Sequence, residues 1–147
     1  MASTSAPLNP VGLIGVGLIG SALAARLLAI DVRHDLALLQ LEQPLQAAPL
    51  TLRTNQPVKG ETGYSMGKPG GYELGIVAGS FNGMSDNETT PLIVFSGPIN
   101  AGMSGGPALD REGRVVGVNA AVARQMPGIG FAVPIENAAS AVGMPPF

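Results

Sequence analysis

The sequence predicts a mainly β protein in which residues 57–147 close a small six-stranded barrel, preceded by a shorter, less regular stretch of strand. Three observations carry that prediction. From Pro57 onward, β-type runs alternate with clusters of Gly, Pro, Asn and Asp at the spacing of barrels and sandwiches. With 21 Gly and 13 Pro in 147 residues, 46% hydrophobic and only 12% charged, the composition is that of many turns around an apolar interior. Finally, "DREG" at 110–113 is a turn sequence ending in glycine between two apolar runs, which joins them as a hairpin.

In chain order, residues 1–30 form an opening segment of strand, loop and helix. Within it "VGLIGV" at 11–16 reads as a buried strand, and "SALAARLLA" at 21–29, rich in helix formers, as the helix. Residues 31–56 follow as a second unit. Its "DVRHDLALLQLEQPLQAAPLTL" holds short apolar runs broken by Pro44 and Pro49, which read as two strands and a loop. The six runs of 57–147 are "VKGETGYSM", "YELGIVAGS", "PLIVFSG", "GPALD", "RVVGVNAAV" and "GIGFAVP", and "IENAASAVG" makes a short closing helix.

Totals exclude several functions. A chain of 147 residues holds one domain or two very small ones. A net charge of −2 with eight Lys and Arg leaves no basic stripe to neutralise phosphates, so nucleic acid is not expected as a partner. The absence of cysteine excludes a disulfide scaffold, a thiol nucleophile and a thiolate metal site, and leaves the redox compartment open. One histidine, His34, does not make an imidazole metal centre, so neither metal nor cofactor is expected. "ALAA" at 22–25 is like a signal-peptidase site, but "MASTSAPLNP" carries no positive charge, and glycines at 12, 15, 17 and 20 make a poor membrane span. Neither export nor anchoring follows.

"GMSGGP", residues 102–107, sets one hydroxyl among three glycines and a proline. Most such hexamers are plain Gly-rich turns. The chemical reading is that a serine attacks a carbonyl once a base removes its proton and amide N–H groups receive the oxyanion. Glycine lets the backbone aim those N–H groups at one point and leaves room for a peptide. Ser104 is then the nucleophile, with the N–H groups of Gly102 and Ser104 as the oxyanion hole.

"INAGMSGGPALDREGRVVGVN" resembles the nucleophile segment of the trypsin-like serine peptidases, particularly their bacterial HtrA-type branch. "GIGFAVPIENA" resembles that branch's following strand, "YSMGKPGG" with "GIVAGS" the early strands of its second barrel, and "HDLALLQL" the segment bearing the triad aspartate, here Asp35. The resemblance runs over residues 24–141 and is most specific over 97–134. It implies a chymotrypsin-like fold with a complete C-terminal barrel and an incomplete N-terminal one, and endoproteolysis through an acyl-enzyme. It also implies that Pro98 and Ile99 floor a pocket for small or medium apolar side chains, that Gly128, Ile129, Gly130 and Phe131 line the cleft, and that the partner is a polypeptide substrate or peptide ligand. The resemblance points to a bacterial cell envelope or periplasm. Met103 stands where trypsin has aspartate and the HtrA branch commonly asparagine, a departure that bears on the order of the oxyanion loop.

The family's triad histidine lies well upstream of its aspartate, and nothing before residue 34 supplies one. His34 immediately precedes Asp35, and adjacent side chains of an extended segment face opposite ways. A rearranged site with His34 as base, oriented by Asp31, is the alternative. About four strands, or roughly 32 to 48 residues, would be needed before the aspartate, so the first barrel is expected to be truncated, with open strand edges that invite self-association. The expected activity of the chain is accordingly very low or absent. Two rival readings remain. In one, "GIGFAVP" pairs with an extended peptide in a non-catalytic binding module. In the other, Gly15, Gly17 and Gly20 have the G-x-G-x-x-G spacing of a dinucleotide site and resemble the start of a Rossmann-type β-hydroxyacid dehydrogenase, with Glu42, 22 positions beyond Gly20, as the ribose acid.

Overall fold

The computed structural model describes residues 11–15, 25–42, 48–53, 55–69, 73–87, 89–123 and 126–141. Three strands, β1 (Val11–Gly15), β2 (Ala25–Asp31) and β3 (Leu36–Leu41), form an antiparallel sheet in the order β1-β3-β2. Six more, β4 (Thr62–Gly67), β5 (Gly75–Met84), β6 (Ile93–Ser96), β7 (Pro107–Leu109), β8 (Val115–Val122) and β9 (Ile129–Pro134), close a barrel in the order β4-β5-β6-β9-β8-β7. Helix α1 (Ile135–Ala141) follows β9 directly. Each of the six runs expected after Pro57 overlaps one barrel strand, with β4 and β5 running past the ends of theirs, and "DREG" is the β7–β8 turn, where the Asp110 N–H bonds the Arg114 carbonyl at 2.9 Å.

Alternation along the strands fills the barrel. Ile93 and Phe95 face inward from β6, and with Phe81, Ala108, Val116 and Ala132 they make one buried cluster. Phe81 and Phe95 meet edge to face, ring centroids 5.5 Å apart. A second cluster joins Leu109, Val115, Val118, Val133, Ile135 and Ala138 to Leu36 of β3, so the first sheet is packed on the barrel through that leucine. The β4–β7 seam consists of Tyr64 opposite Leu109 and Ser65 opposite Ala108.

The opening segment differs from expectation. The strand at 11–15 is present, but the residues expected to end a helix are β2, and both strands flank β3 antiparallel with Val11 opposite Gln40 and Asp31 opposite Leu36. Pairing to β3 satisfies the backbone of "ARLLAID" between strands, which outweighs the modest helix preference of Ala and Leu. The boundary expected at residue 30 therefore runs through a sheet. A dinucleotide site needs a strand, glycine turn and helix in a parallel unit, and Ala25–Asp31 is strand; Gly15 ends β1, whereas Gly17 and Gly20 lie outside the described residues. Of the two strands expected over 31–52, the first is β3 and the second is reduced to a parallel bridge between Leu52 and Val115. Among the described residues no helix is long and apolar enough to cross a membrane.

That bridge pins the connecting segment to the barrel: Arg53 N–H bonds Val115 O at 2.9 Å and Val115 N–H bonds Thr51 O at 2.8 Å. The Arg53 guanidinium, 7% exposed, pairs with the Glu61 carboxylate and lies 3.5 Å from Asp110, which is fully buried. Asp110 also accepts the N–H groups of Glu112 and Arg114 and, at 2.7 Å, Arg114 Nε. Burial pushes the Asp110 carboxyl up, but the Arg114 backbone and side chain with the Glu112 N–H outweigh it and hold the group below its ordinary range. The Arg53 side-chain bond holds Glu61 below its range as well, against burial.

Asp110→Ala is expected to lower the unfolding free energy by about 3 kcal/mol, because Arg53 stays buried with part of its partnership gone. Arg114→Ala, whose guanidinium is 42% exposed, should cost about 1 kcal/mol or less. Urea unfolding reads both, and equal losses would contradict the assignment. Since the folded state lowers both carboxyl groups, the unfolded chain takes up protons first on acidification. Their stabilisation is complete above the ordinary carboxylate range near pH ~4 and disappears as pH falls through the folded values.

Candidate active site

The loop from β6 to β7 carries Ser104. Gly97 N–H bonds Gly128 O at 2.8 Å, tying the start of the loop to the approach of β9. Two turns follow, Met103 N–H to Asn100 O at 3.2 Å and Gly106 N–H to Met103 O at 3.1 Å. Gly102 and Gly105 have φ of +97° and +85°, a region that side-chain-bearing residues rarely adopt. A Cβ on Gly106 would lie 2.0 Å from the Met66 carbonyl oxygen. The glycines of "GMSGGP" thus serve two backbone reversals and one close approach to β4.

Ser104 is half-buried at the turn, neither in a helix nor beneath the core, and its Oγ donates to the Ala120 carbonyl of β8 at 3.0 Å. The N–H groups of Met103, Gly105 and Gly106 are engaged, the second by Asn119 O at 2.7 Å. Among the described residues, those of Gly102 and Ser104 have no internal acceptor. Met103 anchors the loop. Its side chain is fully buried, its Cα lies 2.5 Å from where a Cβ on Gly67 would stand, and its sulfur accepts the Asn100 N–H at 3.5 Å. An apolar anchor here replaces the polar residue of the family pattern.

Pro98 is exposed, while Ile99 is half-buried against the cluster of Phe81 and Phe95. The Ile99 Cδ1 lies 2.4 Å from the Cβ position of Gly130, so the isoleucine occupies the space that this glycine leaves. Strand β9 has no free edge where a peptide was expected to pair: Ile129–Ala132 bond to β6 and Gly130–Pro134 pair β8. Barrel closure uses both sides of that strand. Gly128 sits before it with φ +83°, its carbonyl taken by Gly97, and Phe131 is half-buried.

The open backbone is on β8. Its ladder with β7 ends at Val118 opposite Pro107, after which Asn119 bonds Gly105 and Gly106 and Ala120 O meets the Ser104 hydroxyl. Beyond that, among the described residues, Ala120–Val122 face no strand on the Ser104 side. Sequence reasoning passed over this edge and over Asn119, although an asparagine inside the apolar "RVVGVNAAV" is itself a signal, since a buried amide requires partners.

Asp35 and His34 sit in the turn between β2 and β3. The Asp31 carboxylate accepts the N–H groups of Arg33 and His34 at 3.0 and 3.2 Å and meets His34 Nδ1 at 2.6 Å. The His34 side-chain bond holds the Asp31 carboxyl below its ordinary range, against burial. Because residues 32–35 are a turn rather than extended, alternation does not separate His34 from Asp35; the Asp31 carboxylate does, by holding the imidazole locally. Asp35 is exposed with φ +54°, a left-handed conformation that aspartate tolerates better than most residues. Arg33 Nη2 donates to the Thr89 carbonyl at 3.2 Å, fastening this turn to the β5–β6 loop. Among the described residues no hydrogen bond joins Asp35 or His34 to Ser104.

A six-stranded closed barrel with a packed antiparallel sheet, and a serine on a glycine loop against an open strand, define the chymotrypsin class of fold. Residues 10–118 match the model of the trypsin-like peptidase domain, and the chain belongs to that family, in its HtrA-type branch. It is 33% identical to Protease Do-like 5, chloroplastic, of Arabidopsis thaliana over 129 residues, covering 76% of this chain and 39% of that one. With a DegP-like periplasmic serine endoprotease of Hahella chejuensis it shares 34% over 124 residues, 79% of this chain and 26% of that one. The chain thus spans well under half the length of these relatives. Among solved structures, the HtrA-type protease AlgW with tripeptide superposes with a TM-score of 0.72 at 28% identity, over 81% of this chain and 42% of that one. The Rv3671c protease from M. tuberculosis, active form, gives 0.75 at 23% identity, over 82% and 58%, a likeness of fold. The family match begins at residue 10 and takes in β1 and β2.

Gly130→Ala is expected to overpack the contact with Ile99 and lower stability by about 1 to 3 kcal/mol. The cost should shrink in the double variant with Ile99→Ala, giving a non-additive thermodynamic cycle. Additive losses in urea unfolding would show that the two positions do not share the space.

Proposed function

We propose that the site is built for peptide-bond cleavage by acyl transfer. Ser104 is the nucleophile, the N–H groups of Gly102 and Ser104 receive the oxyanion, and Asp35 stands for the family's base-orienting aspartate, with no histidine of this chain free to be its base. One observation carries this reading: the half-buried Ser104 hydroxyl stands in a loop where the N–H groups of Gly102 and Ser104 are accepted by no carbonyl among the described residues, whereas those of Met103, Gly105 and Gly106 are bonded. An extended polypeptide laid along Ala120–Val122 would bring its carbonyl to Ser104, and the structure of AlgW with tripeptide supports a peptide as partner. Ile99 over Gly130 supports small or medium apolar side chains at the cleavage point, with Pro98 at the rim.

Turnover by the 147-residue chain alone is proposed to be very slow. Its single imidazole, His34, is bound to Asp31, and the Ser104 hydroxyl donates to a backbone carbonyl. Loss of the base in such a triad costs about four to six orders of magnitude in rate. Peptide binding without turnover is the second reading, favoured by the open edge of β8. Self-association through the outer strands of the first sheet belongs to the same proposal.

A fluorophosphonate probe with mass analysis of the Ser104 peptide tests the reading. Labelling is expected to be at least about a thousandfold slower than for a peptidase with its full triad, and unchanged in His34→Ala. Labelling at the full-triad rate would overturn the proposed inactivity, and loss in His34→Ala would make His34 the base. Ser104→Ala should leave the affinity for an extended apolar peptide unchanged; an absence of saturable peptide binding to either protein would remove the β8 edge from the proposal.

A further inference from the structure

We propose that Asn119 of β8 is a positioning residue for the oxyanion site, because it fixes the direction of the Ser104 N–H. The proposal rests on the reading of Ser104 as nucleophile. Asn119 is 4% exposed and its side-chain nitrogen donates to two carbonyls, Met66 O of β4 at 3.0 Å and Met103 O at 3.3 Å. Both partners are acceptors, so the amide nitrogen and not its oxygen faces them. The carbonyl of Met103 and the N–H of Ser104 belong to the same peptide unit. That unit is planar and trans, so its C=O and N–H point in opposite directions. Holding Met103 O toward Asn119 therefore turns the Ser104 N–H away from it.

The backbone of the same residue grips the loop on the other side of the serine. Gly105 N–H donates to Asn119 O at 2.7 Å and Asn119 N–H to Gly106 O at 2.8 Å. The first of these bonds fixes the peptide unit that contains the Ser104 carbonyl, so both peptide planes flanking the nucleophile are set by one residue. Met103 O also accepts the Gly106 N–H at 3.1 Å, a bond within the loop that cannot by itself orient the loop on the barrel. Asn119 supplies that external reference by joining β4, the loop and β8.

The test is residue-resolved hydrogen exchange on the full chain and on Asn119→Ala. Exchange and chemical shift at the amides of Ser104, Gly105 and Gly106 are expected to change, with exchange about tenfold faster at the two glycines, while those of Phe81, Ile93 and Phe95 hold. Unchanged loop amides, or one common factor at every amide, would overturn the proposal. If Asn119→Ala fails to fold, the unaltered chain still decides: the side-chain amide protons of Asn119 should exchange at least about tenfold more slowly than those of exposed Asn55, and equal rates would overturn it. Fluorophosphonate labelling separates the two claims. Altered loop exchange with no labelling of either protein, under exposures long enough to label a peptidase whose triad histidine has been removed, keeps Asn119 as the positioning residue and removes Ser104 as nucleophile, whereas measurable labelling that survives Asn119→Ala unchanged removes Asn119.

Discussion

Closure of the barrel between β4 and β7 is the constraint on which the site depends. The seam is only two residue pairs long, and β7 itself begins three residues after Ser104. A three-residue strand holds little by itself, so its ends must be held by other means. On one side is the loop bound to Asn119, and on the other the Asp110 turn with its two arginines. Ser104 thus stands just before the shortest strand of the barrel, which is braced at both ends by buried polar groups that are costly to leave unpaired and therefore specify a single arrangement.

The electrostatics follow the same logic. Asp110 is enclosed, and an enclosed carboxylate is tolerable only with several donors. Arg53 reaches it from the segment that joins the first sheet to the barrel, so the connection between the two sheets and the closure of the barrel share one ionic cluster. The first sheet is further held by Leu36 within the apolar cluster around Val118 and Val133.

The barrel was legible because each strand is bounded by Gly, Pro, Asn or Asp and the apolar runs are of strand length. The loop of Ser104 was legible because its glycines are required by the backbone, two for positive φ and one for a close approach to β4. The opening strands were not: "ARLLAID" has the composition of a helix, and its strand conformation comes from pairing with β3, an interaction that local sequence does not carry. Strand β9, where "GIGFAVP" was expected to offer an edge, is paired on both sides, and the open backbone lies at the end of β8. Which edge stays open depends on barrel order, β6-β9-β8-β7, and not on the pattern within any run. Met103 was legible as a departure from the family; its role as a buried anchor against Gly67 appears only in three dimensions.

Arg33 grasps the Thr89 carbonyl from a turn that otherwise bonds within itself. The acid at position 35 is consequently tethered to the far end of β6, whereas the serine hangs from its near end and from β8. The turn that bears Asp35 therefore takes its position from the approach to that strand, and the serine loop from the strand's exit.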